Sequence, residues 1–124
     1  MAKRALVVDD SKTIRLILSR FLHELGFQVL EAADGRQALD RLHQEGALDL
    51  ALVDWNMPLM NGYEFLVQMR ADHAYDNVPV MMVTTENELS HVAQALEAGA
   101  TEYVMKPFNL EIITEKLRMA GCID

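Results

Sequence analysis

Polar residues stand directly after several short apolar segments, and their types could bind a cation and transfer a phosphoryl group. The residues are Asp9, Asp10, Asp54, Thr84 and Lys106. Three carboxylates that lie close together repel one another and raise the pKa of at least one, unless a cation neutralises them. Mg²⁺ prefers octahedral oxygen coordination and keeps several waters, so a few carboxylates and a backbone carbonyl suit it. A metal, a lysine and a hydroxyl donor around one carboxylate nucleophile are sufficient for phosphoryl transfer.

Each of these residues also has an ordinary structural interpretation when it is taken alone. Asp10 could cap a helix, Asp54 could open a turn, and Thr84 could reflect β propensity. Lys106 could be a solvated surface lysine. The functional interpretation is favoured because polar groups of complementary types end four of the five predicted strands, while the strand interiors stay apolar.

The elements that position these residues alternate between strand and helix patterns. The predicted strands are residues 5–8, 27–30, 48–53, 80–83 and 102–105. Apolar residues at i, i+3 and i+4 spacing, such as Ile14, Ile17 and Leu18, predict amphipathic helices between them. Capping residues stand at the predicted helix starts and glycines at the ends. They are Ser11, Asp34, Asn61 with Glu64, and Asn109, and then Gly26, Gly46, Gly99 and Gly121.

This alternation predicts an α/β fold of the doubly wound type. Parallel strands need crossover connections, which helices supply and which are right-handed. For five βα units the leading topology is the flavodoxin-like (βα)5 arrangement, a five-stranded parallel sheet in the order 2-1-3-4-5. Ligands of such sheets bind outside the carboxyl ends of the strands, where strands 1 and 3 lie side by side. The candidate residues all project from that edge.

Size and composition exclude several classes of protein. The 124 residues are expected to form one domain, 1–124, with no separate output domain. The formal net charge of −8 opposes binding to nucleic acid. The apolar runs are shorter than the roughly 18 residues that a membrane span requires, so no membrane partner is expected. A single cysteine, Cys122, and no secretory signal in the first residues indicate the cytoplasm.

Four short motifs, in order and at the predicted strand ends, resemble the receiver domains of two-component signalling. They are Val7-Val8-Asp9-Asp10-Ser11, Val53-Asp54-Trp55-Asn56-Met57-Pro58 with Asn61-Gly62 after it, Val83-Thr84, and Lys106-Pro107-Phe108. Each motif is weak alone, but the set spans the whole chain and is specific. The run 54–58, with Glu86 two residues after Thr84, is most similar to response regulators that stand alone and act in chemotaxis.

The resemblance implies a role for each residue around the acceptor. Asp54 would accept the phosphoryl group, Lys106 would contact that group by charge, and Thr84 would hydrogen-bond to it. The Lys106-Pro107 peptide bond is similar to one that the family holds in cis. Movement of Thr84 towards the new oxygens would vacate space for the ring of Tyr103, and the output face would be helix 4, strand 5 and helix 5.

The resemblance also implies a metal cofactor and a control on the phosphorylated lifetime. Mg²⁺, or Mn²⁺, would be held by Asp10, by Asp54 and by the backbone carbonyl of Asn56. Asp9 would contribute through water. Side chains at the Asn56 and Glu86 positions would help to set how quickly phosphate is lost.

The function expected from this resemblance is that of a phosphoacceptor switch rather than an enzyme. A histidine kinase or a phosphotransfer protein would be the donor, and a downstream protein would be the target of a monomeric regulator. Chemotaxis or motility is the expected role, and a phosphorelay or cell-cycle intermediate is the alternative. Enteric relatives carry lysines at the start of helix 4, where this chain has Glu86 and Glu88. That acidic surface weakens the case for the flagellar motor switch as the target.

Two other classes of function fit the residues less well. A metal-dependent phosphatase that uses an aspartyl-phosphate usually needs a second acid/base carboxylate, and Asn56 stands where that group would be. Electron transfer by a bound flavin would need a phosphate-binding loop after strand 1, which this sequence lacks. That function rests on fold analogy alone. The histidines show no metal-ligand spacing and are expected on helix surfaces. They are His23, His43, His73 and His91. Trp55, next to Asp54, is expected at the rim of the site, where its fluorescence would report metal binding.

Overall fold

The computed structural model describes residues 3–46, 48–85 and 89–124. Its strands form one parallel sheet in the order β2-β1-β3-β4-β5, which confirms the predicted topology. The strands are β1 Lys3–Val8, β2 Phe27–Ala32, β3 Leu50–Val53, β4 Val80–Thr84 and β5 Glu102–Met105. Because β1 and β3 are neighbours, their carboxyl ends meet at the switch point of the sheet.

Four α-helices and one short 3₁₀ turn lie between the described strands, and a fifth α-helix follows β5. The helices are α1 Lys12–Glu24, α2 Gly35–Glu45, α3 Gly62–Arg70, α4 Leu89–Glu97 and α5 Leu110–Met119, and the 3₁₀ turn is His73–Tyr75. The predicted caps are confirmed at the starts of α1, α2, α3 and α5. In α3, the side chain of Asn61 accepts from the Glu64 amide at 2.8 Å, and the Glu64 carboxylate accepts from the Asn61 amide at 3.1 Å. These reciprocal bonds fix where the helix begins after the acceptor loop.

The sheet separates two apolar clusters. On one side it packs against α2, α3 and α4, which contribute side chains such as Leu42, Phe65 and Ala95. On the other side it packs against α1 and α5, through side chains such as Leu22 and Ile113. Central strands are buried on both faces and therefore read as continuous apolar runs rather than alternating ones.

Strand β3 begins two residues later than the sequence predicts. Asp49 takes the place of a strand residue: its carboxylate accepts from the backbone amide of Arg4 at 2.7 Å, and its own amide donates to the Arg4 carbonyl at 2.9 Å. Regular pairing with β1 starts at Leu50. In the part of the chain that is described, none of the helices has the length and apolar character to cross a membrane.

Candidate functional site

Strand pairing brings the candidate residues together at one edge of the sheet. Asp9 follows β1, Asp54 follows β3, Thr84 is the last residue of β4, and Lys106 follows β5. The backbone bonds continue one step past the strand ends, since the Asp54 amide donates to Val8 at 2.9 Å and the Lys106 amide to Thr84 at 2.9 Å. The positions of these side chains are therefore set by the rigid sheet.

Three carboxylates form a group that could hold a metal ion. One oxygen from each of Asp9, Asp10 and Asp54 lies within 4.8 Å of the others. Asp9 and Asp54 are buried, whereas Asp10 is exposed and opens the group to solvent. Asn56, whose backbone carbonyl is the further expected ligand, lies exposed in the loop two residues after Asp54. Oxygen ligands with one solvent-facing side suit a hard divalent cation that keeps several waters.

Lys106 supplies a positive charge to the same group. Its Nζ lies 3.0 Å from Asp9 Oδ2 and 3.5 Å from Asp54 Oδ2. One ammonium therefore pairs with two buried carboxylates, which leaves a net negative charge for a cation to neutralise. The Lys106-Pro107 peptide bond is cis, as the resemblance implies.

Burial raises the pKa of Asp54 above its ordinary value of 3.8, and the negative charge of Asp9 raises it further. The positive charge of Lys106 and hydrogen bonds from the Thr84 and Lys106 side chains act in the opposite direction. Thr84 is fully buried, so its hydroxyl has a fixed place beside the carboxylate. Burial and the Asp9 charge together outweigh the positive charge of Lys106, and a bound cation would offset them by favouring the ionised form of Asp54.

The loop that carries Asp9 and Asp10 is held by contacts that sequence reasoning missed. Arg15 Nη1 donates to the backbone carbonyl of Asp9 at 2.6 Å, and its Nε donates to the Glu31 carboxylate at 3.0 Å. The Ser11 amide donates to Asp9 Oδ1 at 2.8 Å. Arg15 thus joins α1, β2 and the acidic loop. The sequence pattern alone indicates only that it is a polar residue on a helix.

Gly62 allows the acceptor loop to fold back tightly on itself. Its amide donates to the Trp55 carbonyl at 2.8 Å, and a Cβ atom at this position would collide with the carbonyl oxygen of Asp54. The motif Asn61-Gly62 belonged to the resemblance, but its physical reason is this close approach of two backbone segments.

Trp55 lies inside the molecule rather than at the rim of the site. Its indole is 9% exposed and stacks on the ring of Tyr63, with centroids 5.3 Å apart, and on the ring of His91, with centroids 5.0 Å apart. His91 was expected as a surface histidine. Its half-buried ring packs against the residue that follows Asp54.

Tyr103 is a buried residue of β5. The Tyr103 ring is 8% exposed and belongs to the apolar cluster on the α2, α3 and α4 side of the sheet. It therefore already lies inward in this structure. Glu86, expected to influence loss of phosphate, lies outside the described residues, as does Glu88.

Comparisons with known proteins agree with this geometry. Residues 5–118 match the family model of the response regulator receiver domain. The chain is 40% identical over 117 residues to the chemotaxis protein CheY1 of Helicobacter pylori strain J99, covering 94% of each chain. It is 44% identical over 115 residues to a chemotaxis protein CheY homolog of Campylobacter jejuni, covering 92% of this chain and 88% of the relative. The solved structure of Vibrio cholerae CheY4 superposes with a TM-score of 0.90 at 36% identity, covering 97% of this chain and 99% of that one.

Proposed function

The chain belongs to the response regulator receiver domain family, and we propose that it is a switch whose Asp54 accepts a phosphoryl group in a Mg²⁺-dependent reaction. The observation that carries the proposal is the buried Asp54 carboxylate. It lies close to the carboxylates of Asp9 and Asp10, and also to the side chains of Lys106 and Thr84. Receiver relatives named for chemotaxis at about 40% identity support a role in chemotaxis signalling.

In the proposed reaction, one residue of the site acts as the nucleophile and others hold the cation. An ionised Asp54 oxygen attacks the phosphorus of the donor, an oxygen–phosphorus bond forms, and the bond to the leaving group breaks. Mg²⁺, or Mn²⁺, bound to Asp10, Asp54 and the Asn56 carbonyl, would neutralise negative charge on the transferring phosphoryl oxygens. Catalysis of phosphoryl transfer rests mainly on such positioning and charge neutralisation.

Lys106 and Thr84 lie where they can bind the product. The Lys106 ammonium already pairs with Asp54 at 3.5 Å and can move onto a phosphoryl oxygen with little displacement. The buried Thr84 hydroxyl, which hydrogen-bonds to Asp54, can donate to a second phosphoryl oxygen. Phosphorylation adds negative charge and acceptor oxygens at Asp54, and these two donors offset part of that charge.

The switch requires that the phosphorylated site stabilise one arrangement of the output face over another, since otherwise no population shifts. We place the output on α4, β5 and α5, with Thr84 and Tyr103 as the switch pair and a protein as the target. A histidine kinase or phosphotransfer protein is the proposed donor. Asn56 and Glu86 are proposed to set the lifetime of the phosphorylated state.

The test is phosphorylation with a small acyl phosphate, followed by intact-protein mass measurement. We expect one added phosphoryl group in the presence of Mg²⁺, none in EDTA, and none for Asp54→Asn. Asp40→Asn, which removes an exposed carboxylate from α2, is the matched control and should label like the original chain. Undiminished label on Asp54→Asn would refute the assignment of the acceptor.

Turnover separates the switch from a phosphatase that uses the same intermediate. A switch forms about one phosphoprotein per chain, whereas an enzyme of the aspartyl-phosphate type releases many equivalents of phosphate from small esters. Sustained turnover of small phosphate esters, lost in Asp54→Asn, would favour the enzyme over the switch.

A further inference from the structure

The aromatic rings around Trp55 connect the acceptor loop to two helices. Trp55 stacks on Tyr63 of α3 with an interplanar angle of 22°, and on His91 of α4 with an angle of 27°. Tyr63 is the second residue of α3, so it directly follows the acceptor loop along the chain. His91 comes from a separate segment that follows β4. The stack with His91 is therefore a long-range contact between the acceptor loop and α4.

Among the side chains of α4 that the structure describes, few other large ones lie in the core. Ala95 is fully buried, and Val92 is partly buried against the same apolar cluster. By contrast, α3 buries Phe65, Leu66 and Met69. His91 is the one aromatic residue in the sequence of α4. Its stack on Trp55 is therefore a ring contact that joins this helix to the acceptor loop.

The backbone places Trp55 directly beside Asp54. The two residues share a peptide unit, whose flanks are fixed by the bond from the Asp54 amide to Val8 and the bond from Gly62 to the Trp55 carbonyl. A new group on the Asp54 side chain alters contacts with Lys106 and Thr84 on one side of that unit. The indole of the next residue stacks on His91 of α4.

We propose that His91 is a positioning residue for the output of the switch: by stacking on Trp55, it links the state of Asp54 to the position of α4. The inference rests on the proposed function of Asp54 and adds a specific route to the output face. It predicts that the chemistry at Asp54 and the response of α4 can be separated by changing residue 91 alone.

The test compares His91→Ala, His91→Phe and the original chain by hydrogen exchange of α4 amides, with and without Mg²⁺ and beryllofluoride as the phosphoryl analogue. Loss of the ring contact in His91→Ala is expected to speed exchange in α4 by about two- to tenfold without analogue. It should also abolish the change that the analogue produces in the original chain. His91→Phe retains a flat ring and should restore that change.

Gln94→Ala, at an exposed position on α4, is the matched control and should respond like the original chain. Labelling of each variant by the small acyl phosphate tests the proposed function separately. If the original chain fails to label, the proposed function fails. If His91→Ala labels and its α4 still responds fully to beryllofluoride, the coupling role of His91 is refuted. If His91→Phe folds and labels but behaves like His91→Ala, ring stacking is refuted as the mechanism.

Discussion

Asp54 is held by the fold in a place where its negative charge is unfavourable. Burial and the nearby Asp9 raise its pKa above 3.8. A carboxyl group whose pKa is raised by folding contributes stability that is fully present while it is protonated and is lost as the pH rises through the raised value. The ionised Asp54 therefore destabilises the metal-free protein at neutral pH.

Replacement of Asp54 by Asn should remove this penalty. We expect Asp54→Asn to have a higher free energy of unfolding than the original chain at neutral pH in EDTA, and the difference to shrink as the pH falls towards 3.8. Urea unfolding at a series of pH values measures it, with the exposed Asp40→Asn as control. Lower stability of Asp54→Asn at neutral pH would contradict the expectation.

Arg15 should affect metal binding although it is not a ligand. Its bonds to the Asp9 carbonyl and to Glu31 hold the acidic loop. Partners that orient metal ligands typically change affinity by about 10–100-fold when they are removed. We expect Arg15→Gln to weaken Mg²⁺ binding within that range, as measured by titration of the emission of Trp55, the single tryptophan. The exposed Arg20→Gln on the same helix should bind Mg²⁺ normally, and an unchanged affinity in Arg15→Gln would exclude the positioning role.

At the scale of elements, Arg70 joins the end of α3 to two neighbouring turns. Its guanidinium donates to the carbonyls of Tyr75 at 2.7 Å, Val78 at 2.7 Å and Gly99 at 3.0 Å. These acceptors lie in the connections that lead into β4 and β5. Burial lowers the pKa of Arg70, with the charge of Asp76 acting in the opposite direction.

Removal of this guanidinium should destabilise the fold. Arg70→Met leaves part-buried carbonyl groups without their donor, and we expect a loss of about 1–3 kcal/mol in the free energy of unfolding. Arg70→Lys should recover little, because one ammonium cannot span carbonyls in three places. Urea unfolding measures both variants, with the exposed Arg20→Met as control. Full stability of Arg70→Lys would show that charge alone matters.

The elements were predictable because their signals are local. Asn61 and Glu64 mark the start of α3 within one turn, and β-branched runs mark the strands. The late start of β3 was not predictable, since it depends on a contact between Asp49 and Arg4. The same distinction applies to the site. The carboxylates follow from strand ends, whereas the stack of His91 on Trp55 depends on tertiary packing.

At the scale of the whole molecule, the net charge of −8 means that any salt can stabilise the fold by screening, so a specific effect of Mg²⁺ has to be separated from screening. A ligand that binds only the folded state at about 100 times its Kd stabilises that state by about 2.7 kcal/mol. We expect Mg²⁺ to raise Tm in this way, and Asp10→Asn to lose most of the increase. Thermal unfolding in NaCl of matched ionic strength is the control. An equal rise in NaCl, or in Asp10→Asn, would indicate screening of surface charge instead.

The two apolar clusters on opposite faces of the sheet have a consequence for how such a protein can diverge. Substitutions on the α4 side repack one cluster, while the cluster formed by α1 and α5 keeps its own contacts. Lys106 and the aspartates are fixed by the sheet between them. A lineage can therefore change the partner-binding surface on α4 while the residues of the proposed phosphorylation site keep their positions.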